Sequence, residues 1–125
     1  MESESFDVEL VYDILKKIEQ CIVYIETWSV GECISQMPMS PTGMMKLSAI
    51  NMQLQVIGET VKQLDKCTNK QLLPLYPQIP WKYVMGLRDI ISHHYFEIDA
   101  EQIENTVVNE LPSLKATIEQ MIADL

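Results

Sequence analysis

Two long stretches of the chain place an apolar residue at every third or fourth position, which is the spacing of an amphipathic helix. The first predicted helix starts at Val11 and runs for about five turns. Its apolar face comprises Val11, Ile14, Leu15, Ile18, Cys21, Ile22 and Ile25. The apolar face of the second predicted helix comprises Leu47, Ile50, Leu54, Ile57, Val61 and Leu64. The chain has only 4 Gly and 6 Pro, and long runs free of both favour helix over sheet.

The second predicted helix carries a further apolar stripe on another face. This stripe comprises Met45, Ala49, Met52 and Val56. Two apolar faces require two partners: one is the domain core, and the other is either another helix of the same core or a second subunit. Gly58 lies inside this helix, where it costs about 1 kcal/mol relative to Ala, so a close approach of another helix is the expected compensation.

The connections between the predicted helices are marked by proline and glycine. Periodicity fails between residues 29 and 43, and Met37 to Gly43 holds two prolines and a glycine, so we expect a loop there. Ser40, followed by proline, is a suitable cap for the second helix. Three prolines interrupt residues 73–80 and should break the helix before the next one begins.

Two further helices complete the prediction. A third opens at Pro80 and runs to about His93, and a last one begins after Asp99, which forms a capping box with Gln102. Pro112 should kink or split that last helix. We therefore expect an all-α fold, an up-and-down four-helix bundle, as a single domain over residues 1–125.

Charge and cysteine usage narrow the function classes. A formal net charge of −9 excludes a protein that coats nucleic acid through its overall field, so any RNA contact must be local. Cys21, Cys33 and Cys67 show no CxxC spacing and are expected to be buried thiols in a reducing compartment, with no metal site. The acidic N-terminus has no apolar segment, and the apolar stretch Leu47–Gly58 is too short to span a bilayer, so we expect a soluble, cytoplasmic protein without membrane contact.

The candidate chemistry lies in the segment from Gly86 to Phe96. It gathers Arg88, the only arginine, with His93, His94 and Tyr95. A planar guanidinium pairs bidentately with phosphate oxygens, and a histidine transfers protons near pH 7. Metal-free RNA cleavage requires such groups, one to move the proton of the 2′-hydroxyl and one to hold the charge that builds on the phosphorus.

Structural explanations of the same residues stay open. Arg88 can pair with Asp89 or Glu59 on the bundle surface. His94 lies near the apolar stripe of the third helix, and Tyr95 can belong to a core aromatic pair with the phenylalanine that follows it. The methionines of the second helix and of the loop before it are best explained as adaptable packing residues.

The stretch from Ala49 to Leu114 resembles the HepT-type branch of the HEPN superfamily. Ile57-Gly58-Glu59 matches an IGE motif in the middle of a helix, and Ile79-Pro80-Trp81 matches a helix-opening PW motif. Arg88 to Tyr95 matches R-x4-H-x-Y, and Asp99 follows four residues later. Each motif alone is weak evidence, whereas their order and spacing together are specific.

The resemblance implies a metal-independent endoribonuclease toxin that needs no cofactor and acts on RNA, either tRNA or mRNA. It implies that Arg88 and His93 are catalytic and face a cleft between the two protomers of a homodimer. It also implies that Tyr95 is the residue to which a partner nucleotidyltransferase antitoxin of the MntA type adds AMP. His94 inherits no role, although the spacing from Arg88 to His94 stays an alternative, and Glu59 is expected to support the site by orienting Arg88.

Helical geometry adds one constraint. On an ideal helix Arg88 and His93 are about 140° apart, whereas Arg88 and Tyr95 are within about 20°. Either the helix ends before His93 or the catalytic pair meets across protomers. The main alternative function is a non-catalytic helical dimer that binds the nucleotidyltransferase and accepts its modification. An unrelated structural bundle is a third possibility.

Overall fold

The computed structural model describes residues 6–91 and 98–125, and within these it consists of helices and their connections. The α-helices are α1 (Val8–Ser29), α2 (Pro41–Cys67), α3 (Trp81–Met85), α4 (Leu87–Ile91), α5 (Ala100–Asn109) and α6 (Leu111–Asp124). Two 3-10 helices span Ile34–Met39 and Leu73–Leu75. The described residues contain no strand, and the prediction of an all-α, HEPN-like bundle is confirmed.

The core forms around α2, the longest helix. α1 packs against α2 and α6, while α3 and α4 pack against α2, and α5 packs against α6 and the first 3-10 helix. The apolar faces predicted for the first two helices are the buried ones, and Leu47, Ile50 and Leu54 of α2 are fully inaccessible to solvent. Both segments are helical mainly because this buries one apolar face of each helix in the core. The intrinsic helix propensity of their residues contributes less.

The connection between α1 and α2 differs in part from the prediction. Ser40 caps α2 as expected, since its hydroxyl accepts a hydrogen bond of 3.0 Å from the backbone N–H of Gly43. However, Ile34–Met39 forms a 3-10 helix where we expected an irregular loop that reached to Gly43. Burial explains the difference, because Ile34 and Met37 point into the core and leave the segment little freedom.

The third and last predicted helices are each divided. α3 ends at Met85, and α4 starts at Leu87, because the backbone N–H of Asp89 bonds the carbonyl of Gly86 at the three-residue spacing of a 3-10 turn. The last helix is split at Glu110 into α5 and α6, as Pro112 predicted.

One cysteine prediction is wrong. Cys21 is buried and Cys67 is half-buried, but Cys33 is exposed. Cys33 lies in the connection after α1 and precedes the buried Ile34, so its thiol faces the surface and lies 3.4 Å from the Glu104 carboxylate. None of the helices in the described parts of the chain is long and apolar enough to cross a lipid bilayer.

Candidate functional site

The site is built where α3 and α4 cross α2. Gly58 of α2 makes this crossing close: a Cβ atom at Gly58 would lie 2.9 Å from the carbonyl oxygen of Val84 and 3.7 Å from the Cβ of Leu87. Helix backbones can approach this closely only where one of them lacks a side chain. The close approach predicted for Gly58 is thus confirmed, and it sets the position of α4 on the bundle.

Arg88 is held at the surface by its neighbours in α4. Leu87 and Ile91 on either side are buried in the core, whereas Arg88 is exposed. Among residues 6–91 and 98–125, no hydrogen bond or ion pair engages its guanidinium. A permanent cation with five N–H donors, on a helix anchored by two apolar residues, is suited to bind an external anion.

The two carboxylates that we expected as possible ion-pair partners of Arg88 lie within the described residues and do not pair with it. In the described part of the chain, neither Asp89 nor Glu59 forms an ion pair with the guanidinium. Glu59 is exposed and lies 3.4 Å from the Nζ of Lys62, one turn along α2. Carboxylates and lysines three residues apart on a helix are neighbours, which explains this choice of partner.

The remaining predicted site residues, His93, His94 and Tyr95, lie outside the described residues. The residues on either side of this segment are linked, because the backbone N–H of Asp99 donates a hydrogen bond of 3.1 Å to the carbonyl of Ile91. Arg88 is therefore the one predicted catalytic residue whose surroundings the structure describes.

The start of α5 is tied to α3 beside this link. Asp99 caps α5 by accepting a hydrogen bond of 3.0 Å from the backbone N–H of Gln102. In place of the expected capping-box bond back to Asp99, the Gln102 amide donates to the hydroxyl of Tyr83 at 3.3 Å. That hydroxyl also shares a hydrogen bond of 2.7 Å with Thr106, so α3 and α5 are held together on this side of Arg88.

A groove between the end of α2 and Met85 of α3 collects lysines that the sequence did not lead us to expect as a site. We call it the lysine groove; it has a volume of about 520 Å³ and is lined by Lys62, Asp65, Lys66, Asn69, Lys70 and Met85. The four-residue spacing of its three lysines is visible in the sequence and predicts one helical face. A second groove, at the start of α5, is lined by Asp99 and Glu101 and is unsuited to phosphate.

The fold and the exposed arginine thus define a class, small all-α proteins that carry an exposed guanidinium on a short helix. The chain belongs to the ribonuclease HepT-like family, whose model matches residues 29–121. This confirms the resemblance seen in the motifs, and it places the protein among the ribonucleases.

Curated relatives agree with the family. Two proteins of Methanocaldococcus jannaschii with the name "Putative RNase" are 33% and 31% identical to this chain over 115 residues, which is 92% of this chain and 86% and 90% of theirs. A "Probable ribonuclease HepT" of Thermococcus cleftensis is 28% identical over 109 residues, which is 87% of this chain and 93% of that protein. No solved structure matches the chain significantly.

Proposed function

We propose that this chain is a metal-independent endoribonuclease toxin in which Arg88 and His93 carry out the cleavage of RNA. The observation that carries the proposal is the state of Arg88: it is exposed, and no side chain of the described residues neutralises it. A guanidinium in this state can direct its planar set of N–H donors at two phosphate oxygens of RNA, and Arg88 occupies the arginine position of the R-x4-H-x-Y motif.

The proposed reaction starts with attack of an RNA 2′-hydroxyl on the adjacent phosphorus. His93 accepts the proton of that hydroxyl, and the phosphorus–O5′ bond breaks. A protonated His93 gives a proton to the leaving oxygen. Arg88 holds two of the phosphate oxygens as negative charge builds on them. The products are a 2′,3′-cyclic phosphate and a 5′-hydroxyl. Glu59 and His94 are proposed as supporting residues only.

The active form is proposed to be a homodimer with the cleft between its protomers. The second apolar stripe of α2 supports this, since Met45 is 66% exposed and Met52 is 57% exposed in the single chain. Covering such a stripe is a common reason for association. A two-fold cleft would also supply two arginines and two copies of His93, which eases proton transfer at both the attacking and the leaving oxygen.

Control of the toxin is proposed to act through Tyr95. A nucleotidyltransferase antitoxin of the MntA type would transfer AMP from ATP to the phenol oxygen, with release of pyrophosphate. On an ideal helix Tyr95 shares the face of Arg88, so the phosphate of the adduct would neutralise the guanidinium and fill its anion site.

The test of cleavage uses purified protein, tRNA and mRNA substrates, and EDTA in excess. We expect cleavage by the wild type and none by Arg88→Lys, because lysine keeps the charge but loses the planar fork. His93→Ala should be inactive and His94→Ala active. Lys82→Gln, which also removes an exposed cation two residues before Val84, serves as the control and should cleave normally.

Three outcomes would change the proposal. Cleavage that EDTA abolishes would replace the metal-independent mechanism. An inactive His94→Ala with an active His93→Ala would shift the catalytic histidine by one residue. A wild type that cuts no RNA but gains AMP from a co-expressed nucleotidyltransferase would favour the alternative, a non-catalytic dimer that accepts the modification.

The role of Tyr95 has its own test. Tyr95→Phe should still cleave RNA but escape inhibition by a co-expressed nucleotidyltransferase, and intact-mass spectrometry should find added AMP on the wild type only. Equal AMP incorporation into Tyr95→Phe would assign the modification to another residue.

A further inference from the structure

The lysine groove is basic, although the molecule as a whole is acidic. Three lysines and one aspartate line it, a local balance of +2, whereas the chain as a whole has a formal net charge of −9. A small basic groove on an acidic surface focuses the field and attracts anions locally. It therefore meets the requirement that any RNA contact of this protein be local.

The lysines of the groove are free to bind an external anion. Lys66 and Lys70 are exposed, and neither has an ion-pair partner in the described part of the chain. Lys62 pairs with Glu59 at 3.4 Å, but both side chains are about half exposed, and such pairs contribute little. Two lysines elsewhere are engaged more closely, since Lys16 and Lys46 each lie 2.8 Å from a glutamate. Lys17 and Lys82 are exposed and form no ion pair within the described residues, but they do not line this groove.

The backbone at the end of α2 adds an independent observation. Asn69 and Lys70 have φ angles of 54° and 60°, in the left-handed region that favours glycine. Asn69 occupies the usual left-handed capping position, and the backbone N–H of Lys70 closes the cap on the carbonyl of Asp65 at 2.8 Å. A lysine is unfavourable in this conformation. A binding role for its side chain would explain why a lysine, and not a glycine, occupies the position.

The groove lies close along the chain to the proposed catalytic arginine. Met85 of α3 lines it, and Arg88 follows three residues later, after the hydrogen-bonded turn at Gly86. Three residues of chain span at most about 11 Å, so the backbone of Arg88 lies within that distance of the Met85 wall of the groove. Lys62 and Lys66 are about 6 Å apart along the helix axis, a spacing on the scale of one nucleotide.

We infer that the lysine groove binds the ribose-phosphate backbone of the RNA substrate beside the scissile phosphate, with Lys66 and Lys70 as its main cations. This inference rests on the proposed function, since it assumes that RNA is the substrate. The groove holds a single-stranded segment through its phosphates and without regard to sequence, as basic grooves in single-strand-binding proteins do. Lys66 and Lys70 are positioning residues, and the chemistry stays with Arg88 and His93.

The first experiment measures binding of a fluorescently labelled, fully 2′-O-methylated single-stranded RNA, which cannot be cleaved. The test variant is Lys66→Gln/Lys70→Gln, and the matched control is Lys16→Gln/Lys46→Gln, which changes the net charge by the same amount on other surfaces. We expect affinity to fall about three- to tenfold in the test variant and less than twofold in the control. The slope of log affinity against log salt concentration should decrease by about 1.4 in the test variant only.

Lys70→Gly separates binding from folding. Glycine adopts a φ of about 60° freely, so this variant should unfold at the wild-type urea concentration or slightly higher, while its RNA affinity falls. A loss of both affinity and stability would instead mean that Lys70 has a structural role. With an unmethylated RNA, the double variant should raise KM and leave kcat close to that of the wild type, because uniform binding is removed.

The outcomes distinguish this inference from the proposed function. If the wild type cleaves RNA but the test and control variants bind it equally well, the inference is overturned and the proposed function stands. If no RNA is cleaved, yet binding to the methylated RNA depends on Lys66 and Lys70, the proposed function fails, and of the inference only the RNA-binding role of the groove stands. A wild type that binds no RNA would refute the RNA-binding role. So would a double variant that keeps its RNA affinity and loses only the binding of a protein partner.

Discussion

Replacing Gly58 by Ala tests the crossing that positions Arg88. The added Cβ would lie 2.9 Å from the Val84 carbonyl oxygen, a backbone atom, and must move to about 3.4 Å to reach an ordinary contact. α3 therefore has to shift by about 0.5 Å, and such overpacking costs roughly 2 kcal/mol. Ala is favoured over Gly inside a helix by about 1 kcal/mol, so the expected net loss is about 1 kcal/mol.

Urea unfolding followed by tryptophan fluorescence measures this change, since Trp81 is buried at the start of α3. Thermal unfolding should give a melting temperature about 4 °C lower. Because α4 follows α3 in the chain, a shift of α3 should also displace Arg88. The rate of RNA cleavage should therefore fall, by less than the roughly hundredfold loss that a 1 Å misplacement causes.

Gly86→Ala is the control for this prediction. Its Cβ would lie 3.4 Å from the Lys82 carbonyl oxygen, an ordinary contact, and φ at Gly86 is −97°. Ala at this position should be neutral or slightly stabilising. A Gly58→Ala protein that is about 1 kcal/mol more stable than the wild type would follow helix propensity alone, and would refute the close-crossing argument.

Three further predictions concern contacts that hold the connections of the bundle. Tyr76 donates a hydrogen bond of 2.6 Å to Asp124, and burial together with this carboxylate raises the pKa of Tyr76 to about 12. The stability that this hydrogen bond contributes is present below pH 10 and is lost as pH rises toward 12. Tyrosine ionisation is followed by absorbance at 295 nm, and Tyr76→Phe should remove the ionisation step near pH 12. Ser40→Ala removes the cap of α2 and should cost about 1 kcal/mol in urea unfolding. The backbone N–H of Ser35 is the main group that lowers the pKa of Glu104. The stability that the ionised Glu104 contributes is present above the ordinary pKa of glutamate and is lost as pH falls. In Glu104→Gln, the free energy of unfolding should therefore decrease less steeply at acid pH.

The sequence was sufficient to predict α2, because burial follows its periodicity directly. The spacing from Leu47 to Leu64 identifies the buried face, and the Ser40-Pro41 pair identifies the start of the helix. The need for a close approach at Gly58 also followed from local reasoning, since glycine in a helix is costly unless something uses the space. The split after Glu110 followed from the proline two residues later.

Contacts between distant segments could not be predicted in the same way. Tyr76 and Asp124 are 48 residues apart, and only the packing of α6 brings them together. The partner of Glu59 was missed for a different reason. Lys62 lies only three residues away on α2, and this near neighbour was overlooked in favour of Arg88. The lysine groove was missed because the lysines alone do not define a groove. It is completed by Met85, an apolar residue of α3 that gives no sign of anion binding in the sequence.

The division of the third helix at Gly86 has a consequence for motion. α4 has five residues, Leu87–Ile91, and an isolated helix of that length has no stability in water. Its order comes from the burial of Leu87 and Ile91 against α2, so a small displacement at that contact can release α4 while the long helices stay folded. Amide hydrogen exchange in α4 should accordingly proceed through a local opening, at a rate well above that of the central turns of α2. Arg88 is thus carried by an element whose order depends on the burial of two side chains, and the exchange rate of α4 would report how often the arginine leaves its position on the bundle.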